Sequence, residues 1–84
     1  MTTKILKFQA SWCNPCQSLS NKMRGVDLGL PVEEVDIDHN VDFAASYAIR
    51  SVPTLVMVRE GSMIAKLIGP KSVDEIRQWV DNHR

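Results

Sequence analysis

Ala10-Ser11-Trp12-Cys13-Asn14-Pro15-Cys16 holds the only two cysteines of the 84 residues, one behind a tryptophan and the other behind a proline. A bridge across so short a gap restricts little of the unfolded chain, so bracing the fold is a poor reason for the spacing. Pro15 falls in the first turn after Cys13, where a missing N–H costs nothing. Leu19 and Met23 then stand one helical turn apart, and Gly25 supplies a stop, so a helix starts at the cysteines and runs through Gln17–Met23. Upstream, Lys4–Ala10 (KILKFQA) is rich in apolar residues and too short for a helix. It reads as a strand, expected to be central, that ends at the motif.

Downstream, Asp27–Pro31 is a connector. Val32–Ile37 follows as a strand in which Val35 and Ile37 alternate with Glu34 and Asp36. Asp38-His39-Asn40 offers capping residues for a short amphipathic helix over Asp42–Ile49, with Phe43, Ala44, Tyr47 and Ala48 at helical spacing. Arg50-Ser51-Val52-Pro53 breaks it. Thr54–Arg59 and Met63–Ile68 are strand-like runs joined by Glu60-Gly61-Ser62, an antiparallel hairpin signal. After Gly69-Pro70, Ser72 caps a last helix with Glu75 in the capping-box position and Val73, Ile76, Trp79 and Val80 as its buried stripe. The order strand-helix-strand-helix-strand-strand-helix is that of an α/β chain with a four-stranded mixed sheet and three helices. Its first half implies parallel crossovers and its second an antiparallel pair.

Residues 1–84 are expected to make one domain with a modest core and no room for a separate substrate domain. Ten basic and ten acidic residues cancel, which gives no electrostatic reason for nucleic acid or an anionic membrane as partner. No apolar run approaches the ~20 residues of a membrane helix. The N-terminus enters the first strand without a signal-peptide pattern, so it reads as mature and cytoplasmic.

A cysteine attacks as its thiolate, and free N–H groups at a helix N-terminus stabilise that charge, which favours Cys13. Cys16, one turn deeper, is placed to attack a mixed disulfide formed on Cys13, leaving an internal disulfide. A zinc site needs about four ligands, and no second Cys/His pair exists, so no metal is expected. His39 and His83 read as surface residues, Trp12 as packing over the site, and Trp79, Phe8, Phe43 and Tyr47 as core. Asp36 and Asp38 read as a solvated strand end and helix cap.

Trp12-Cys13-Asn14-Pro15-Cys16, then Val52-Pro53-Thr54, then Gly69, resemble the thioredoxin family in order and spacing, and the resemblance covers nearly the whole chain. It implies a minimal thioredoxin-like fold and a thiol-disulfide oxidoreductase with no bound cofactor beyond a redox-active Cys13–Cys16 disulfide. The family's proline matching Pro53 is cis and lies against the cysteines, with the backbone of the preceding residue, here Val52, holding an extended substrate. Trp12, Asn14, Pro15, Ile68, Gly69 and Pro70 complete the implied substrate surface. Asn14-Pro15 replaces the commoner Gly-Pro; the proline is kept, and asparagine tolerates the turn. The implied partners are an NADPH-dependent thioredoxin reductase and cytoplasmic disulfide proteins such as ribonucleotide reductase, with the chain a monomer.

The resemblance also exposes a departure. Where the family carries a buried aspartate that helps deprotonate the second cysteine, this chain has Lys7, and the family's partner lysine falls on Glu34. The expectation is an ion pair of reversed polarity in which Glu34, or a neutral Lys7, handles the Cys16 proton; the alternative is an ordinary wet surface pair. Two other functions compete: a glutathione-dependent glutaredoxin, which usually has Pro-Tyr between the cysteines and a Gly-Gly pair, and a binding subunit that does not use its thiols.

Overall fold

The computed structural model describes residues 2–84. Its elements run β1 (Thr3–Gln9), α1 (Asn14–Met23), β2 (Val32–Asp36), α2 (Val41–Ser46), β3 (Thr54–Arg59), β4 (Ser62–Ile68) and α3 (Val73–His83). The strands make one mixed sheet in the order β2-β1-β3-β4, with β1 parallel to β2 and antiparallel to β3, and β3 antiparallel to β4. The Lys4–Ala10 run is therefore interior, as expected.

Only the first crossover is parallel, which corrects the expectation of more than one. A helix of six residues covers about 9 Å, less than the length of the strand before it, so α2 does not carry the chain back along the sheet. β3 instead starts at the end where β2 stops. Gln9 pairs with Asp36, Phe8 with Thr54 and Thr54 with Ile68, so two strand ends, one strand start and the last strand's end meet on one rim of the sheet.

The remaining differences are in boundaries, and each has a local cause. β1 stops at Gln9 because Ala10 leaves the ladder to accept the Cys13 N–H at 3.2 Å. α1 does begin at the cysteines, as expected: Cys13 is its N-cap and Asn14 its first residue. β2 ends at Asp36, although the Ile37 N–H still reaches Gln9 O at 2.9 Å. α2 ends at Ser46 rather than Ile49: Ala48 takes φ 55°, and the Ile49 N–H returns to Ala44 O at 3.1 Å, a left-handed helix end. The hairpin loop is Glu60-Gly61 alone, with φ 55° and 81°, and Ser62 already pairs with Arg59. Positive φ at both central residues is the two-residue turn whose twist suits a hairpin.

Alternation along β1 assigns two faces. Ile5 joins Leu19 of α1, Leu55 and Met57 of β3, and Ile76, Trp79 and Val80 of α3 in one cluster. Leu6 and Phe8 join Val35, Val56, Val58 and Ala44 of α2 in the other. Trp79 and Phe8 are core, as expected, whereas Phe43 is 42% exposed: it lies edge-on to Tyr47, with ring centroids 5.3 Å apart, and covers the rim of the cluster instead of filling it.

The capping box is formed. Ser72 Oγ accepts the Glu75 N–H at 3.1 Å, and the Glu75 carboxylate accepts the Ser72 N–H at 3.3 Å. The Ser72 backbone bond, then its hydroxyl, hold the Glu75 carboxyl below its ordinary value. That contribution is present above the ordinary carboxylate range and disappears as pH falls through the lowered value. Replacing Ser72 with alanine is expected to cost about 1 kcal/mol, read as a lower urea midpoint at neutral pH with an unchanged slope.

Candidate active site

Every loop leaving the shared rim contributes to one patch. From β1 comes the turn Ala10–Cys13, which hands the chain to α1. Cys13 caps that helix in extended conformation (φ −94°, ψ 104°), and its sulfur accepts the Cys16 N–H at 3.1 Å. A sulfur in this place receives a backbone donor and the positive end of the helix, both of which favour its thiolate. Cys13 and Cys16 are joined as a disulfide, with Cα atoms 5.2 Å apart. They are 4% and 2% exposed and pack with Ala10, Ile37 and Val52.

From the loop before β3 comes Ser51–Pro53. Val52 O lies 3.6 Å from Cys13 Sγ, and the Val52–Pro53 peptide bond is cis. Thr54 Oγ1 donates to Ser51 O at 2.7 Å, which fixes this loop from below. From β4 comes Ile68, 56% exposed, followed by Gly69, whose N–H donates to Pro53 O at 2.9 Å and ties the two loops together. Trp12 is 64% exposed beside the cysteines. The apolar side chains at this rim thus flank a nearly buried sulfur pair.

Sequence reasoning missed what holds Trp12. Its Nε1–H donates to Asp38 Oδ2 at 2.9 Å, so Asp38 anchors the indole, while Asn40 is the α2 N-cap. An acidic residue just beyond the strand next to the motif was the available signal. His39 is at the surface, 83% exposed, against Asp36 at 3.3 Å.

Lys7 and Glu34 are cross-strand partners, as counted from sequence, and their charges meet at 3.1 Å. Neither a wholly interior pair nor a wet one describes them: the Lys7 side chain is 3% exposed and that of Glu34 60%. Two further partners were not foreseen, Gln9 Oε1 at 2.9 Å and Ser20 Oγ, both accepting from Lys7 Nζ. Gln9 shares a face of β1 with Lys7, and Ser20 lies one turn past Cys16, so both were visible as positions but not as contacts.

The sequence profile of the Thioredoxin family matches residues 2–82. The chain belongs to the thioredoxin family. It is similar to the thioredoxin of Bacillus subtilis, 29% identical over 83 residues that span 94% of this chain and 80% of that protein. It is also similar to the mitochondrial thioredoxin of Mus musculus, 32% identical over 83 residues, 94% of this chain and 50% of that one. A thioredoxin variant from Halobacterium salinarum superposes with TM-score 0.87 at 28% identity, covering 96% of this chain and 74% of its own. Fasciola hepatica thioredoxin shares the fold, with TM-score 0.87 over 99% of this chain. With its cysteine pair at the helix start, this thioredoxin-family chain is a thiol-disulfide oxidoreductase.

Among the described residues, no helix is long and apolar enough to cross a membrane, and no group of three His, Cys, Asp or Glu stands close enough to hold a metal.

Proposed function

We propose that this chain is a cytoplasmic protein-disulfide reductase, recharged by an NADPH-dependent thioredoxin reductase. Cys13 is the attacking sulfur and Cys16 the resolving one. The observation that carries this is the Cys16 N–H at 3.1 Å from the Cys13 sulfur at the N-cap of α1, which lowers the cost of a thiolate at Cys13 and not at Cys16.

An extended substrate segment lies across Val52 and Pro53 and hydrogen-bonds the Val52 backbone. That places its disulfide in line with the Cys13 sulfur, beside Val52 O. Trp12, Asn14, Pro15, Ile68, Gly69 and Pro70 form the surface on which it rests. The exposed indole and Ile68 side chain supply apolar contact without demanding a particular sequence, which suits a reductant of many exposed protein disulfides, that of ribonucleotide reductase among them. The domain spans residues 1–84 and works as a monomer.

The test is reduction of insulin disulfides by the full chain, coupled either to NADPH and thioredoxin reductase or to glutathione and glutathione reductase. Turnover is expected in the first mixture only. Turnover in the second alone marks a glutathione-dependent enzyme, and none in either marks a binding subunit; both outcomes sink the proposal.

A further inference from the structure

Lys7 is 2% exposed, between the sheet and α1, and the exchange just described makes no use of it. Its Nζ donates to Gln9 Oε1 at 2.9 Å, to Glu34 Oε1 at 3.1 Å and to Ser20 Oγ. Three acceptors match the three N–H bonds of an ammonium. A neutral amine could keep two of these bonds and accept the Ser20 hydroxyl proton, but the Glu34 carboxylate beside Nζ favours the ammonium. An ammonium so held has no lone pair with which to take up a proton. Glu34 lies on the outer side of it: its side chain is 60% exposed against 3% for Lys7, so water screens the carboxylate while the ammonium acts through protein.

Ser20 fixes where the field of that ammonium falls. It follows Cys16 on α1 by four residues, about 6 Å along the axis. Helical side chains lean toward the N-terminus, so the Ser20 hydroxyl and the ammonium bonded to it lie beneath the turn that carries Cys16. Cys16 itself packs among Ala10, Cys13, Ile37 and Val52, of which only Cys13 can titrate. The other charged groups nearby are accounted for. Arg24 lines the cavity shared by Lys7 and Glu34 but is exposed and bonded to Asn21. Asp36 and Asp38, at the end of β2, are held by His39 and Trp12. From β3, Leu55 faces Lys7.

We propose that Lys7 is a positioning residue for the resolving step: its fixed ammonium stabilises the Cys16 thiolate, so that Cys16 ionises without a protein base. The inference rests on the exchange reading above. In that step the Cys16 thiol gives its proton to water, and its thiolate attacks Cys13 Sγ. The Cys13–Cys16 bond forms as the bond from Cys13 to the substrate sulfur breaks. The substrate sulfur leaves with the electron pair and is protonated by water. Across both steps the substrate disulfide gains two electrons from the dithiol. This differs from the sequence expectation that Glu34 or a neutral Lys7 takes the proton: the Glu34 side chain is 60% exposed and lies on the outer side of the pair.

The experiment titrates Cys16 by thiolate ultraviolet absorbance in a Cys13→Ser background, alone and with Lys7→Met or Glu34→Gln. Lys7→Met is expected to raise the Cys16 titration midpoint by about one unit, the effect of losing a nearby opposite charge. Glu34→Gln is expected to lower it, since the cation then acts without its counter-charge. In proteins with both cysteines, Lys7→Met should slow release of glutathione from a Cys13 mixed disulfide at neutral pH by about threefold, because tenfold less thiolate is partly offset by its greater nucleophilicity. An unchanged midpoint in natively folded Lys7→Met, or a midpoint raised by Glu34→Gln, overturns the proposal. If Lys7→Met does not fold, Glu34→Gln decides alone: a fall supports the proposal, and no change or a rise overturns it. The titration uses no substrate protein, so it can fail while insulin reduction succeeds, and the reverse.

Discussion

Cys13→Ser is expected to bring insulin reduction to background, while Cys16→Ser leaves a protein that reacts once and stops. The difference follows from where the two sulfurs sit. Cys13 caps α1 and receives the Cys16 N–H, so it is the sulfur whose anion the backbone supports, and a serine hydroxyl there does not ionise to a competent nucleophile. Both sulfurs are nearly covered, Cys13 at 4% and Cys16 at 2%, so the difference in role comes from the backbone donor and helix end at Cys13 and not from exposure. Mass spectrometry of Cys16→Ser with oxidised substrate should show a stable adduct on Cys13. An adduct on Cys16 in the Cys13→Ser protein reverses the assignment of roles.

The largest loss of stability is expected at Phe8→Ala. Phe8 is fully buried in β1, with its ring 6.0 Å from that of Phe43 and 5.9 Å from that of Tyr47. Truncating a buried phenylalanine costs about 3–5 kcal/mol, against the roughly 5–15 kcal/mol that holds an ordinary domain together. In a chain this short each kcal/mol is worth about 4–8 °C, so the melting temperature should fall by about 12 °C or more in a circular-dichroism melt. Phe43→Ala removes a ring that water already reaches and should cost clearly less. Equal losses would mean that the α2 side of the sheet is not organised around Phe8.

The difference between these two rings also shows what could be read from the chain and what could not. Short-range chemistry was legible: the cysteine pair opening a helix behind Pro15, the Ser72–Glu75 box, the Glu60-Gly61 hairpin and the alternation that buries Phe8. Each depends on residues within a few positions of one another. The end of α2 was not, because Ala48 adopts a left-handed backbone that its own side chain does not favour. The direction of β3 was hidden too, since it turns on how far a six-residue helix travels.

At the site, strand counting placed Lys7 opposite Glu34, but burial of one and exposure of the other depends on α1 lying over β1. The Trp12–Asp38 bond joins residues 26 positions apart, and the Lys7–Ser20 bond residues 13 apart. Neither has a periodicity that would announce it.

The sheet has two free edges, and they differ. β2 presents Glu33 and Glu34, each paired with a lysine of β1, directly after Pro31. β4 carries a bulge: Met57 pairs with Ala65 and Val58 with Met63, which leaves Ile64 as the extra residue. Unpaired strand edges invite a second strand, and charge, proline and bulges all spoil the flat template that such pairing needs. The apolar side chains beside the sulfurs can then stay open to water without copies of the chain stacking edge to edge into fibrils.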